Sequence, residues 1–169
     1  MNAVIELPDV SDLRFLALHE GGHASCAVTL GLAVTAIEID HFDGFSFIPD
    51  HERARPNVRL AVLMAGAAAD REFQFLGWEV KLRPLDNSDQ QRIADVLTQI
   101  DRRTWPFALA QARQQAQRMV RQHRSRIFMV ADALLERCAV AGEPRGRLDG
   151  DALVELLGDV AILRLTASG

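Results

Sequence analysis

The spacing of apolar residues predicts a long first helix with one buried face. Over residues 11–31, five apolar side chains recur at helical spacing on one side of the segment: Phe15, Leu16, Cys26, Ala27 and Leu30. His19 and His23 lie four residues apart on the same side, so that one imidazole stands above the other. The pattern therefore predicts that both imidazoles point into the protein rather than into solvent.

The rest of the chain predicts one β-hairpin followed by several helices. Residues 34–39 alternate apolar and polar side chains, and an Asp-Gly turn at 43–44 leads to a return strand over 45–48. Helical segments are predicted over residues 57–76, 88–103, 106–123, 126–140 and 151–157. Small residues at 65–69 indicate that the second helix packs closely against the first. We expect a mainly α fold with one small β-hairpin or sheet after the first helix.

Composition and charge exclude several classes of protein. The chain has 169 residues, which fits one domain over 1–169, and 49% hydrophobic with 25% charged residues is typical of a soluble globular protein. A net charge of −4 gives no reason to expect nucleic acid as the main partner. The longest apolar run, residues 60–69, is too short to span a membrane, and the N-terminus does not resemble a signal peptide. Because two cysteines make no disulfide framework, we expect a cytoplasmic location.

The segment His19-Glu20-Gly21-Gly22-His23 has the spacing of a metal site. Two imidazoles one helical turn apart can reach a single ion, and Glu20 lies beside them where it can act on a water molecule. Each glycine costs about 1 kcal/mol relative to alanine in a helix, which suggests that another segment packs very close to this helix. The alternative is a pair of core histidines that hydrogen-bond to neighbouring groups without a metal.

The third ligand cannot be chosen from spacing alone. The extended metzincin motif is excluded, because it requires glycine and histidine where this chain has Cys26 and Thr29. Cys26 is expected to be a small core residue. The three other histidines are expected to be solvated: His41, His51 and His123. Six acidic residues remain as candidates: Glu38, Glu52, Asp70, Glu72, Asp86 and Asp89.

Three segments resemble the FtsH-type zinc peptidases, the proteolytic part of membrane-anchored AAA proteases. Residues 18–24 resemble the family's His-Glu-Ala-Gly-His-Ala signature, and residues 63–70 resemble its Leu-Gly-Gly-Arg-Ala-Ala-Glu helix. Residues 87–92, Asn-Ser-Asp-Gln-Gln-Arg, resemble its Ser-Asn-Asp-Leu-Gln-Arg segment. The three motifs occur in the family's order. The resemblance implies a compact, zincin-like peptidase domain in which Asp89 is the third zinc ligand.

The resemblance also implies a function. It implies a zinc metalloendopeptidase in which His19, His23 and Asp89 hold Zn²⁺ and Glu20 is the catalytic base. Asp70 is the candidate for orienting a histidine ring. The expected division is a metal-site part over residues 11–103 and a C-terminal helical part over 105–158. The chain departs from the family at Ala67, which replaces an arginine.

The expected partners follow from the modules that the sequence does not contain. The family's ATPase module and membrane helices are absent from the sequence, so we expect a stand-alone peptidase domain. Its substrates would be peptides or unfolded proteins, with a separate ATPase or unfoldase as a candidate partner, and a homo-oligomer is compatible with the sequence. The alternative from another class is a zinc-binding regulatory or interaction protein on the same fold with little or no turnover.

Overall fold

The structure, a computed structural model, describes residues 10–40, 43–75 and 87–158. It is mainly helical with a small antiparallel sheet after the first helix, which confirms the predicted fold class. The elements in chain order are α1 (Val10–Thr29), β1 (Ala36–Ile39), β2 (Gly44–Phe47), α2 (Pro56–Leu63), α3 (Ala65–Phe75), α4 (Asn87–Leu97), α5 (Trp105–Gln122), α6 (Arg124–Ala141), β3 (Gly146–Asp149) and α7 (Gly150–Leu157). None of the helices within the described ranges is long and apolar enough to cross a lipid bilayer.

Helix α1 lies between α3 on one side and α6 on the other. A Cβ atom at Gly22 would lie 2.8 Å from the carbonyl oxygen of Ala65 and 2.8 Å from Cβ of Ala69. At Gly21 it would lie 3.1 Å from the carbonyl oxygen of Ile127. The glycine pair therefore permits two close helix contacts, as its unfavourable helix propensity suggested. The same contacts confirm that the small residues of the second helical segment pack on the histidine helix.

The sheet has the strand order β2-β1-β3, with antiparallel pairing throughout. The predicted hairpin is confirmed, with Ile37 opposite Ser46. The predicted turn position is wrong, because Gly44 is already in β2 opposite Ile39, and a 2.8 Å hydrogen bond from Asp40 N to Asp43 O closes the turn before it. The third strand was not predicted. Leu148 is opposite Ile37 across the other edge of β1, and Glu38 of β1 accepts a 2.9 Å hydrogen bond from Arg147. Long-range pairing thus makes a strand from a short segment with no clear β pattern.

Two predicted helices differ from the structure. The helix expected over 57–76 is divided at Met64 into α2 and α3, and Met64 adopts φ −87° and ψ −9°. The helix expected over 88–103 ends at Leu97 and is followed by turns and a short 3₁₀ helix, Arg102–Thr104. One cluster of buried apolar side chains nevertheless runs through the metal-site part and the helical part, from Leu16 to Leu157.

Candidate metal centre

Three predicted ligands from two helices meet at one point. The Nε2 atoms of His19 and His23 on α1 lie 3.1 Å apart. Asp89 lies in the first turn of α4, and its Oδ2 is 3.1 Å from His23 Nε2 and 3.5 Å from His19 Nε2. One potential ligand atom from each of the three residues lies within 4.8 Å of those of the other two. The fold therefore places the two histidines beside Asp89, the aspartate that the family resemblance indicated. Asp89 follows His23 by 66 residues in the sequence.

The other nitrogen of each imidazole has a fixed partner. His19 Nδ1 is 2.9 Å from Oδ2 of Asp70 on α3, and His23 Nδ1 is 2.7 Å from the carbonyl oxygen of Val62 on α2. Both partners are hydrogen-bond acceptors, so each Nδ1 carries a hydrogen and donates it. In the neutral rings both Nε2 atoms then present lone pairs. Asp70 thus holds the ring of His19 in the orientation that directs Nε2 toward His23 and Asp89.

The convergence of these lone pairs requires a positive charge at the centre. Asp89 Oδ2 is buried, and among the described residues its polar neighbours are the Nε2 atoms of His19 and His23, which in the neutral rings have no hydrogen to donate. Ligand atoms about 2.0–2.1 Å from a tetrahedral zinc ion would be about 3.3 Å apart. The observed separations of 3.1–3.5 Å fit this arrangement. The donor set of two imidazoles and one carboxylate also matches zinc chemistry, with one position left for water.

The pKa values of His19, His23 and Asp89 also indicate that a positive charge is needed between them. Burial lowers the pKa of His19, but hydrogen bonds with Asp70 and Asp89 outweigh burial and raise that pKa to about 10. Burial also lowers the pKa of His23, and the charge of Asp89 reverses the shift, so that the net pKa is raised. Burial raises the pKa of Asp89, yet the nearby His23 and His19 hold it well below its usual range. A proton can supply the positive charge in the metal-free protein, and a bound metal would displace it.

Gly66 on α3 leaves room for an ion beside the imidazoles. A Cβ atom at this position would overlap with Nε2 of both His19 and His23. Only a residue without a side chain can therefore lie at this position. The absence of a methyl group beside both Nε2 atoms is the second structural feature that fits a metal ion.

We expect Gly66→Ala to weaken zinc binding about tenfold or more. The added methyl group must push both imidazoles away from the centre, and overpacking of this kind costs about 1–3 kcal/mol, where 1.4 kcal/mol corresponds to a tenfold change. The overlapping atoms belong to side chains and not to the main chain, so the rings can turn aside at the cost of their Nδ1 hydrogen bonds while the helices stay in place. Zinc competition with a chelator measures the affinity, and thermal unfolding of the metal-free variant is the control. Unchanged zinc affinity would show that the ion does not lie beside Gly66.

Glu20 is buried next to the ligand group without belonging to it. Its Oε2 accepts a 2.7 Å hydrogen bond from Ser46 Oγ on β2. Burial raises the pKa of Glu20, and the neighbouring His23 and His19 oppose that shift. A carboxylate with a raised pKa, held beside a metal position, has the properties of a general base.

A cavity of about 360 Å³ opens onto this group and is the space in which a substrate could react. Its lining includes the two histidines, Glu20, Asp89 and the whole of β2. Within the described part of the chain, β2 is an edge strand, because only β1 pairs with it. An extended segment could therefore reach both the unpaired edge of β2 and the ligand group.

The remaining acidic candidates have other partners. Glu72 on α3 is paired with Arg121 and Arg124, and Glu38 on β1 is paired with Arg145 and Arg147. Glu52 lines the cavity and forms an ion pair with Arg59. Asp86 and His41 lie outside the described residues. Cys26 is buried in the core as expected, with Sγ 3.6 Å from the carbonyl oxygen of Ala61.

The expectation that His51 is solvated is wrong. His51 is buried and lines the cavity, with Nε2 3.4 Å from the carbonyl oxygen of Arg59. Burial lowers its pKa. The polar loop sequence around His51 did not predict this burial, because it depends on a contact with Arg59 on α2, outside the short 3₁₀ helix His51–Arg53. Sequence reasoning also missed Ser46, Gly44 and Gly66, of which only Gly66, in a run of small residues, carried a signal of close packing.

Comparison of the chain with protein-family models and with curated proteins returned no match.

Proposed function

We propose that this protein is a zinc-dependent metalloendopeptidase, similar to the FtsH-type peptidases, that hydrolyses peptide bonds in peptides or unfolded proteins. The observation that carries the proposal is the convergence of three lone-pair donors, His19, His23 and Asp89, with the buried carboxylate of Glu20 beside them. A site with only a structural role would have no need of a base next to the ligands, and it would normally have a fourth protein ligand.

We propose separate roles for metal binding, proton transfer and ring orientation. His19, His23 and Asp89 would hold the zinc ion, which when bound polarises a substrate carbonyl and lowers the pKa of water. Glu20 accepts the proton of the attacking water and then passes it to the leaving amine. Asp70 maintains the orientation of the His19 ring through Nδ1.

The substrate would bind as an additional strand along β2. Main-chain hydrogen bonds to an edge strand hold an extended peptide regardless of its side chains. This mode suits peptides and unfolded chains and excludes folded proteins, unless a separate ATPase or unfoldase delivers them. We also propose a cytoplasmic location, consistent with two free cysteines, Cys26 and Cys138, that are both buried.

Metal content and cleavage measured together test the proposal. We expect about one zinc per chain by elemental analysis and cleavage of casein or a quenched peptide that stops when a chelator is added. His23→Ala should lose both. Stoichiometric zinc in that variant would rule out this site, and zinc without cleavage in the wild-type protein would favour the regulatory alternative.

A further inference from the structure

Strand β2 contacts the carboxylate of Glu20 through the hydroxyl of Ser46. Ser46 Oγ lies 2.7 Å from Glu20 Oε2 and 3.1 Å from the main-chain oxygen of Glu20. A hydroxyl has one hydrogen to donate, and the carboxylate is both the nearer and the stronger acceptor. The hydrogen bond therefore connects the carboxylate of Glu20 to the sheet.

Gly44 contacts the same side chain from two residues earlier on β2. Residues two apart lie on one face of a strand, so Gly44 and Ser46 both face Glu20. A Cβ atom at Gly44 would lie 2.7 Å from Glu20 Cγ and 3.0 Å from Glu20 Oε1. The backbone of Gly44 does not have a positive φ, so it is the missing side chain and not the conformation that this position requires.

We propose that Ser46 is a positioning residue for Glu20 and that Gly44 provides the space in which the carboxylate rests. The proposal depends on the peptidase function proposed above. Ser46 pairs with Ile37 across the inner edge of β2, and no described strand occupies the outer edge. A peptide bound along that outer edge would pair with β2, the strand that carries Ser46. The same strand would then fix the positions of both the substrate and the base.

The kinetic test uses three substitutions on β2 and one matched control. We expect Ser46→Ala to lower kcat about tenfold, the effect of one hydrogen bond to a charged group, with KM within about twofold and zinc content unchanged. Ser46→Thr keeps the hydroxyl and should restore most of kcat. Gly44→Ala should also lower kcat, because Glu20 has to move. Ser25→Ala is the control, since Ser25 Oγ is buried on α1 and has no hydrogen-bond partner among the described residues.

A double-mutant cycle on the metal-free protein tests the contact between Ser46 and Glu20 independently of the proposed peptidase function. Ser46→Ala should lower the ratio of folded to unfolded protein about tenfold in the wild-type background and much less in the Glu20→Ala background. Additive effects, or an unchanged kcat in Ser46→Ala, would overturn the positioning role. A zinc-loaded wild-type protein that cleaves no peptide would overturn the peptidase proposal, while the cycle would still test the contact.

Discussion

Replacing Glu20 with glutamine should lower peptide hydrolysis at least about a hundredfold and leave about one zinc ion bound per chain. Glutamine has nearly the same shape and can still accept a hydrogen bond from Ser46, but it cannot accept the proton of the attacking water. General bases contribute about 10²–10⁴-fold, so kcat should fall by at least about a hundredfold. The zinc should remain, because Glu20 is not part of the ligand group.

Glu136→Gln is the matched control for this experiment. Glu136 is exposed on α6 and undergoes the same change of charge without touching the cavity. Elemental analysis and peptide cleavage are measured on both variants and on the wild-type protein. Wild-type turnover in Glu20→Gln would mean that another group is the base. Loss of zinc would place Glu20 on the metal instead of beside it.

The local parts of this site were predictable from the sequence. The helical spacing of His19 and His23 places both on one side of α1, because it depends on the geometry of a single helix. That α1 is buried on its other sides as well follows from packing against α3 and α6, which the spacing did not predict. The glycine pair at 21–22 likewise signalled close packing before the neighbouring helices were known. The hairpin was also indicated by Asp43-Gly44, although Gly44 is the first residue of β2, without a positive φ, and not a turn residue as predicted.

The parts that depend on long-range packing were not predictable from spacing. Six acids were candidates for the third ligand, and only the family resemblance selected Asp89, which the fold now places beside the histidines. The contact of Ser46 with Glu20 depends on how the hairpin crosses α1, which no local pattern encodes. The third strand was not predicted because β3 forms only by pairing with β1. The two strands are far apart in sequence: Gly146, where β3 begins, follows Ala36, where β1 begins, by 110 residues.

The two buried aspartates at the centre should respond differently to the same substitution. Among the described residues Asp70 hydrogen-bonds to Nδ1 of His19, the nitrogen away from the ligand group, so Asp70→Asn keeps the ligand group but weakens the hydrogen bond that orients the ring. Changes of this kind cost about 10- to 100-fold in metal affinity or activity. Asp89→Asn removes the anionic oxygen from the ligand group itself, so the loss of zinc affinity should be well beyond that range.

Chelator competition gives the zinc affinity of both variants, and thermal unfolding without metal shows whether each remains folded. An amide can still begin a helix, so Asp89→Asn should keep α4. The metal-free variant should lose about 0.3–1 kcal/mol of favourable interaction with the helix dipole, and in addition the ion pair that Asp89 makes with the protonated imidazoles. Asp95→Asn, at an exposed position on the same helix, is the control and should bind zinc as the wild-type protein does. If Asp70→Asn lost the metal while Asp89→Asn retained it, the anionic ligand would come from α3, and the assignment of Asp89 would be wrong.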